Sequence, residues 1–231
     1  MIHFDHVTKL YGITHALSDV SFHIDKGEFV FLIGPSGAGK TTCLRLIISE
    51  ITPSKGTIVV DGTSLANIPP SKTHLLRRKV GTVFQDFKLL FDRTVYENVA
   101  LALEILGRKD TEVKKDVHDV LELVGLGRKA NLFPQQLSAG ELQRTSIARA
   151  IAGGPTILLA DEPTGNLDPE TAGEILQILQ EINRMGTTVV MATHNATVVN
   201  ELRKRTITLE DGQLVSDEAK GKYQIRKRTA K

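Results

Sequence analysis

Phe29-Val30-Phe31-Leu32-Ile33 is a continuous apolar run that stops at Gly34. A strand buried on both faces requires such a run. The next eight residues, Gly34-Pro35-Ser36-Gly37-Ala38-Gly39-Lys40-Thr41, satisfy G-x-x-x-x-G-K-[ST] in full. Leu44, Ile47, Ile48 and Ile51 then recur at i, i+3, i+4 and i+7, the apolar stripe of a helix. Strand, glycine-rich turn and helix in this order commit the chain to an α/β fold with a phosphate-binding turn. The glycines let the backbone close around phosphate oxygens, and successive N–H groups with the helix N-terminus supply a positive field. Lys40 adds a point charge for the outer phosphates. Thr41, with Thr42 beside it, offers a hydroxyl to Mg²⁺. The plainer reading is a turn with no ligand, and the complete motif in its required context weighs against it.

The rest of the chain repeats the strand–helix alternation. Residues 57–62 and 80–84 read as strands, and residues 157–160 and 188–192 as buried ones. Between the last two, Ile175, Ile178, Leu179 and Ile182 form another helical stripe. This order implies right-handed crossovers and a parallel sheet with helices on its faces. From about residue 87 to 154 the pattern turns helical, with Val113, Val117, Val120, Leu121 and Val124 on one face. That predicts a helical subdomain inserted into the core. Asp211-Gly212, between residues 206–209 and 213–215, signals a tight hairpin.

Composition sets outer limits. The 231 residues suffice for one large domain, which at this size needs no disulfide or metal staple. With 41% hydrophobic and 24% charged residues, disorder, collagen and coiled coil are excluded. No apolar run reaches the roughly 18 residues of a spanning helix, and the N-terminus predicts no secretory signal. The single cysteine, Cys43, allows no internal disulfide. A cytoplasmic chain follows, with any membrane role peripheral. The net charge of +2 is uneven: Lys220, Lys222, Arg226, Lys227, Arg228 and Lys231 stand without an acid after residue 219, and +2 less six leaves −4 for the remainder. Such a tail, residues 220–231, is either a solvated end or a patch for anionic lipid or nucleic acid.

Residues 157–160 end in Asp161-Glu162. Ligands collect at the carboxyl ends of parallel strands, so Asp161 can hold Mg²⁺ and Glu162 can take a proton from water. Leu137-Ser138-Ala139-Gly140-Glu141 resembles the LSGGQ signature of ABC-type ATPases, and is equally an S-x-x-E capping box. Gln85 after a strand resembles that family's Q-loop glutamine, and His194 its switch histidine. Gly165-Asn166-Leu167-Asp168 resembles the D-loop, although Asp168-Pro169 is also an N-cap followed by proline. Tyr11 stands where the family places a ring against adenine; core filling is the alternative.

The resemblance covers residues from about 4 to 215. It implies a P-loop NTPase of the ABC-ATPase fold over residues 1–219: a mainly parallel sheet, an antiparallel β subdomain and the inserted helices. It further implies MgATP hydrolysis in an ATP-bound homodimer. Thr41, Gln85 and Asp161 then serve the metal, Glu162 the water and His194 the γ-phosphate, while Ser138 and Gly140 reach the opposite protomer's nucleotide. Ala139 departs from the signature's first glycine, which bears on tightness of the closed dimer. Residues 161–168, 84–90 and 93–100 resemble the cell-division branch, which implies an FtsX-type integral membrane partner at the inner face of the membrane. Its docking surface would lie around Phe87, Leu89, Leu90 and Phe91, residues that could equally fill the core. No nucleic-acid partner is expected. Lipoprotein release or macrolide export stays open as the alternative.

Overall fold

The computed structural model describes residues 1–223. Arg226, Lys227, Arg228 and Lys231 of the basic tail lie outside the described residues. Three strands open the chain, β1 (Ile2–Tyr11), β2 (Thr14–Ile24) and β3 (Phe29–Ile33), followed by α1 (Lys40–Ile47), β4 (Lys55–Val60) and β5 (Thr63–Ser64). One helical turn, α2 (Thr73–Arg77), precedes β6 (Val80–Val83), α3 (Val95–Ile105), α4 (Asp110–Leu123) and α5 (Ala139–Ile151). Then come β7 (Ile157–Asp161), α6 (Pro169–Arg184), β8 (Thr188–Thr193) and α7 (Ala196–Leu202), and the hairpin β9 (Arg205–Glu210) and β10 (Gln213–Glu218). The chain divides into two compact units: residues 1–73 with the described residues from Val190 onward, and residues 74–189.

In the first unit, an antiparallel sheet runs β2-β1-β4-β5. Its apolar face is set by alternation: Ile2 and Phe4 pair with Ile24 and Phe22, and the two phenyl rings stack at 4.5 Å. Strict alternation would turn Val7 outward. It stays buried because the ladder slips between Phe4 and Val7, where His6 adopts φ 48°. Opposite, Asp19 adopts φ 53°, and its carboxylate lies 2.7 Å from His6 Nδ1. An extra residue in each strand thus restores the inward parity. Asp19 raises the His6 pKa, through the hydrogen bond first and its charge second.

The same unit holds β3, wholly buried, parallel to β9. The β9–β10 turn has Asp211 at φ 47° and Gly212 at φ 77°, the left-handed pair a two-residue hairpin needs. Helix α1 is shorter than its apolar stripe suggested. It ends at Ile47, and Ser49 turns left-handed at φ 50°, so Ile51 lies beyond the helix.

The second unit pairs β6 with β7 in parallel, Val80 against Ile157 through Val83 against Ala160. A side chain at Gly81 would bring Cβ within 2.3 Å of the Ala150 carbonyl oxygen, so α5 lies directly on β6. The helical stretch holds α3, α4 and α5. Thr94 and Glu97 form a full capping box on α3, and Val113, Val117 and Leu121 bury one face of α4. The architecture is the α/β fold expected: parallel core strands, an antiparallel sheet and inserted helices.

Candidate active site

In the first unit the turn after β3 leaves no room for a side chain at two of its glycines, Gly34 and Gly39. A Cβ on Gly34, at φ 149°, would lie 2.1 Å from the Leu209 carbonyl oxygen. On Gly39, at φ 105°, it would lie 2.7 Å from Leu17 Cδ2. The tip of the β9–β10 hairpin closes against the same turn, with Gly212 N–H donating to the Ala38 carbonyl at 3.2 Å. Strands far apart in sequence therefore fix the loop's shape. Ser36 and Gly37 are exposed, Pro35 and Thr42 half-buried, and Thr41 exposed at the start of α1.

Lys40 is only 7% exposed, and its ammonium donates to the carbonyls of Gly34 at 2.8 Å and Pro35 at 3.1 Å. The first turn of α1 carries no acid, and Gly39 at its N-cap makes no side-chain cap. A buried cation beside helical N–H groups without a side-chain cap is suited to an anion. Cys43, one turn on, is fully buried with its thiol pushed up to about 12, which leaves it inert.

Tyr11 ends β1 with 44% of its surface exposed, and Lys9 Nζ stands 5.2 Å from the ring centroid. Core filling is thereby excluded, and the ring can stack on a ligand. His194 follows β8 and is exposed, with Asn195 behind it capping α7.

The second unit carries the remaining candidates. Asp161 ends β7, half-buried after four buried residues. Glu162 follows at φ 48°, a conformation that costs a non-glycine residue roughly 1–2 kcal/mol. The left-handed residue bends the chain directly after Asp161. Asp168 caps α6, accepting from Thr171 N–H at 3.0 Å and from its hydroxyl at 2.6 Å. These bonds, the hydroxyl's first, hold the Asp168 carboxyl below its ordinary range.

Ser138 and Glu141 form the capping box at the start of α5: Ser138 N–H donates to Glu141 at 2.9 Å, and Glu141 N–H returns to Ser138 Oγ at 3.4 Å. Lys129, more than Ser138, holds the Glu141 carboxyl below its usual value. Gly140 is required for a reason the motif did not announce. A Cβ there would sit 2.4 Å from Thr171 Cγ2, in the first turn of α6. Ala139, by contrast, is exposed, so its methyl meets no crowding within the described chain. Gly140→Ala should cost about 1–3 kcal/mol, with Tm falling by roughly 2–4 °C per kcal/mol. Adding Thr171→Ser, which removes the opposing methyl but keeps the bond to Asp168, should restore most of that loss in thermal melts.

Gln85 is exposed, two residues beyond the end of β6, with half-buried Phe84 between. The apolar run after it divides. Leu89 is core at 6% exposure, whereas Leu90 and Phe91 are 40% and 50% exposed. Of the four residues expected to form a docking surface, only Leu90 and Phe91 are exposed; Leu89 packs inward and Phe87 is half-buried. Buried Asn98 shapes this stretch, accepting from Leu90 N–H and donating to the carbonyls of Leu90, Arg93 and Thr94. Sequence reading missed Ser146 and Arg149, which bond the backbone just past Gln85; no local signal marks them.

A hydroxyl, an amide oxygen and a carboxylate, from Thr41, Gln85 and Asp161, are hard oxygen donors suited to Mg²⁺. Among the described residues no cluster of three His, Cys, Asp or Glu could hold a metal by itself. Single oxygen donors of this kind suit a metal whose other ligands are nucleotide phosphates and water better than an all-protein cage.

A buried strand, a turn constrained by glycine, a buried lysine and an acid-tipped strand are the features of a P-loop nucleotide-binding enzyme. Residues 17–165, well over half of the chain, match the ABC transporter family. The chain belongs to that family and is an ABC-type ATPase. It is 52% identical over 225 residues to the cell division ATP-binding protein FtsE of Bacillus subtilis (strain 168), spanning 96% of this chain and 98% of that protein. To the Escherichia coli (strain K12) protein of the same name it is 47% identical over 215 residues, spanning 93% and 97%. It is also similar to a solved ATP-binding cassette, a dimer in a post-hydrolysis state bound to ADP and Pi. That match has a TM-score of 0.87 at 36% identity and covers 96% of this chain and 100% of the other.

Proposed function

We propose that this chain is the ATP-hydrolysing subunit of a membrane ABC complex of the FtsE type, acting in cell division. The observation that carries the reading is the buried Lys40 beside a turn whose Gly34 and Gly39 admit no side chain, in a chain about half identical to proteins named for cell division. The reaction is in-line attack of water on the γ-phosphate of ATP. Lys40 and the turn's N–H groups offset phosphate charge as it spreads in the transition state. Mg²⁺, held by Thr41, Gln85 and Asp161, supplies further charge neutralisation when bound. Glu162 orients the water and accepts its proton, and His194 contacts the γ-phosphate. The exposed Tyr11 ring stacks on adenine, and Asp168 lies near the nucleotide.

Each site is completed across a homodimer by Ser138 and Gly140 of the other copy, so turnover depends on association. Dimer closure acts on an FtsX-type integral membrane protein at the inner face of the cell membrane, and through it on septal cell-wall hydrolysis. Exposed Leu90 and Phe91, six residues or fewer from Gln85, suit the contact with that partner. Among the described residues no helix is long and apolar enough to cross a membrane, which fits a subunit that borrows its membrane part. The basic tail would then face anionic lipid.

Tagged chain extracted from membranes in mild detergent should carry one integral membrane protein with no substrate-transport features. Leu90→Asp with Phe91→Asp should release that protein while leaving ATP binding intact. Recovery of a lipoprotein-release or drug-export permease instead would replace the division role with transport.

A further inference from the structure

The backbone two and three residues past Gln85 is bonded to the helix that carries the signature residues. There, Phe87 and Lys88 adopt φ 58° and 51°, two consecutive left-handed residues with side chains. Such conformations persist only where their surroundings over-determine them. Here the determinant is α5. Arg149 Nη2 donates to the Phe87 carbonyl at 2.9 Å and Nη1 to the Lys88 carbonyl at 2.6 Å, while Ser146 Oγ donates to the Phe87 carbonyl at 3.2 Å. Among the described residues no carboxylate pairs with Arg149, and burial pulls its pKa below the usual value. A half-buried guanidinium satisfied by carbonyls alone is an expensive way to fill space. Its rigid fork is well suited to hold two successive peptides at a fixed spacing.

The front of the same helix is equally fixed. Gly140 packs on Thr171, and Arg144 pairs with Glu174, so the first turns of α5 and α6 are joined. One helix thus connects the Ser138 end, the Asp168 cap and the backbone after Gln85.

We infer that Arg149, assisted by Ser146, is a positioning residue for Gln85: it clamps the two left-handed peptides after the glutamine and ties them to the helix bearing Ser138 and Gly140. The clamp itself is independent of the reaction; only its effect on turnover rests on the ATPase reading. Arg149→Lys keeps the charge but cannot span both carbonyls.

Hydrogen exchange on the purified full chain tests the clamp without nucleotide. The Phe87 amide, bonded to the Phe84 carbonyl at 3.2 Å, should exchange in Arg149→Lys at least about tenfold faster than in the parent. Amides of β7 should keep their rates. Turnover should fall at least about fivefold with KM for MgATP held within about twofold, and in a Gln85→Ala background Arg149→Lys should have no further effect. An unchanged Phe87 rate, or losses that multiply between Gln85→Ala and Arg149→Lys, overturns the inference. If Arg149→Lys does not fold, Ser146→Ala carries the same exchange and turnover comparisons, with smaller changes of the same sign. Failure of the ATPase reading looks different: the parent would show no turnover sensitive to Glu162→Gln, whatever the Phe87 exchange rate.

Discussion

Glu162→Gln is expected to bind MgATP as the parent does, to lose turnover by about 1,000-fold or more, and to accumulate as an ATP-bound dimer. The carboxamide has the carboxylate's shape, so the bend at φ 48° after β7 is kept and the pocket is not remodelled. What disappears is the acceptor for the proton of the attacking water. An enzyme that binds ATP and closes but cannot hydrolyse stays closed. Phosphate release should therefore vanish while size exclusion in MgATP shifts from monomer to dimer. Turnover at the parent rate would remove Glu162 from the role of base. A dead enzyme that stays monomeric in MgATP would instead argue against closure preceding hydrolysis.

Lys40→Ala should act one step earlier. The ammonium is buried and already donates to the carbonyls of Gly34 and Pro35, so the loop holds it in place before any ligand arrives. Each charge-assisted bond it transfers to phosphate is worth roughly 1.5–3 kcal/mol, so ATP affinity should drop by about 100-fold or more. Fluorescent-nucleotide titration reads this directly, and no ATP-dependent dimer should form. Fold should survive, because the walls of the loop are backbone at Leu209 and the side chain of Leu17, not the lysine itself. The two variants are therefore distinguishable: one fails to bind, the other binds and fails to release.

Much of the local structure that carries these residues is legible in the sequence. Phe29–Ile33 is a strand with those bounds, as its shortness, its β-branched and aromatic residues and the glycine after it suggest. Ser138 with Glu141, and Asp168 before Pro169, cap their helices as their sequence announced. Asp211-Gly212 is the left-handed turn it announced. Less was legible where burial depends on a distant neighbour. The run after Gln85 offered four apolar residues of equal standing, and packing divided them, Leu89 inward and Phe91 outward. Paired bulges at His6 and Asp19 were also invisible, since each strand's extra residue makes sense only against the other.

Sequence by itself determined the chemistry of this chain, because phosphate binding, helix capping and the acid-tipped strand are each written in a few consecutive residues. The tertiary structure alone decided how those pieces are braced. Gly140 must lack a side chain because Thr171 stands against it, and Gly34 because Leu209 does. Arg149 reaches backbone 61 and 62 residues away. Such contacts obey no local spacing rule: they exist only once the chain has folded and removed the water that would otherwise satisfy the same groups.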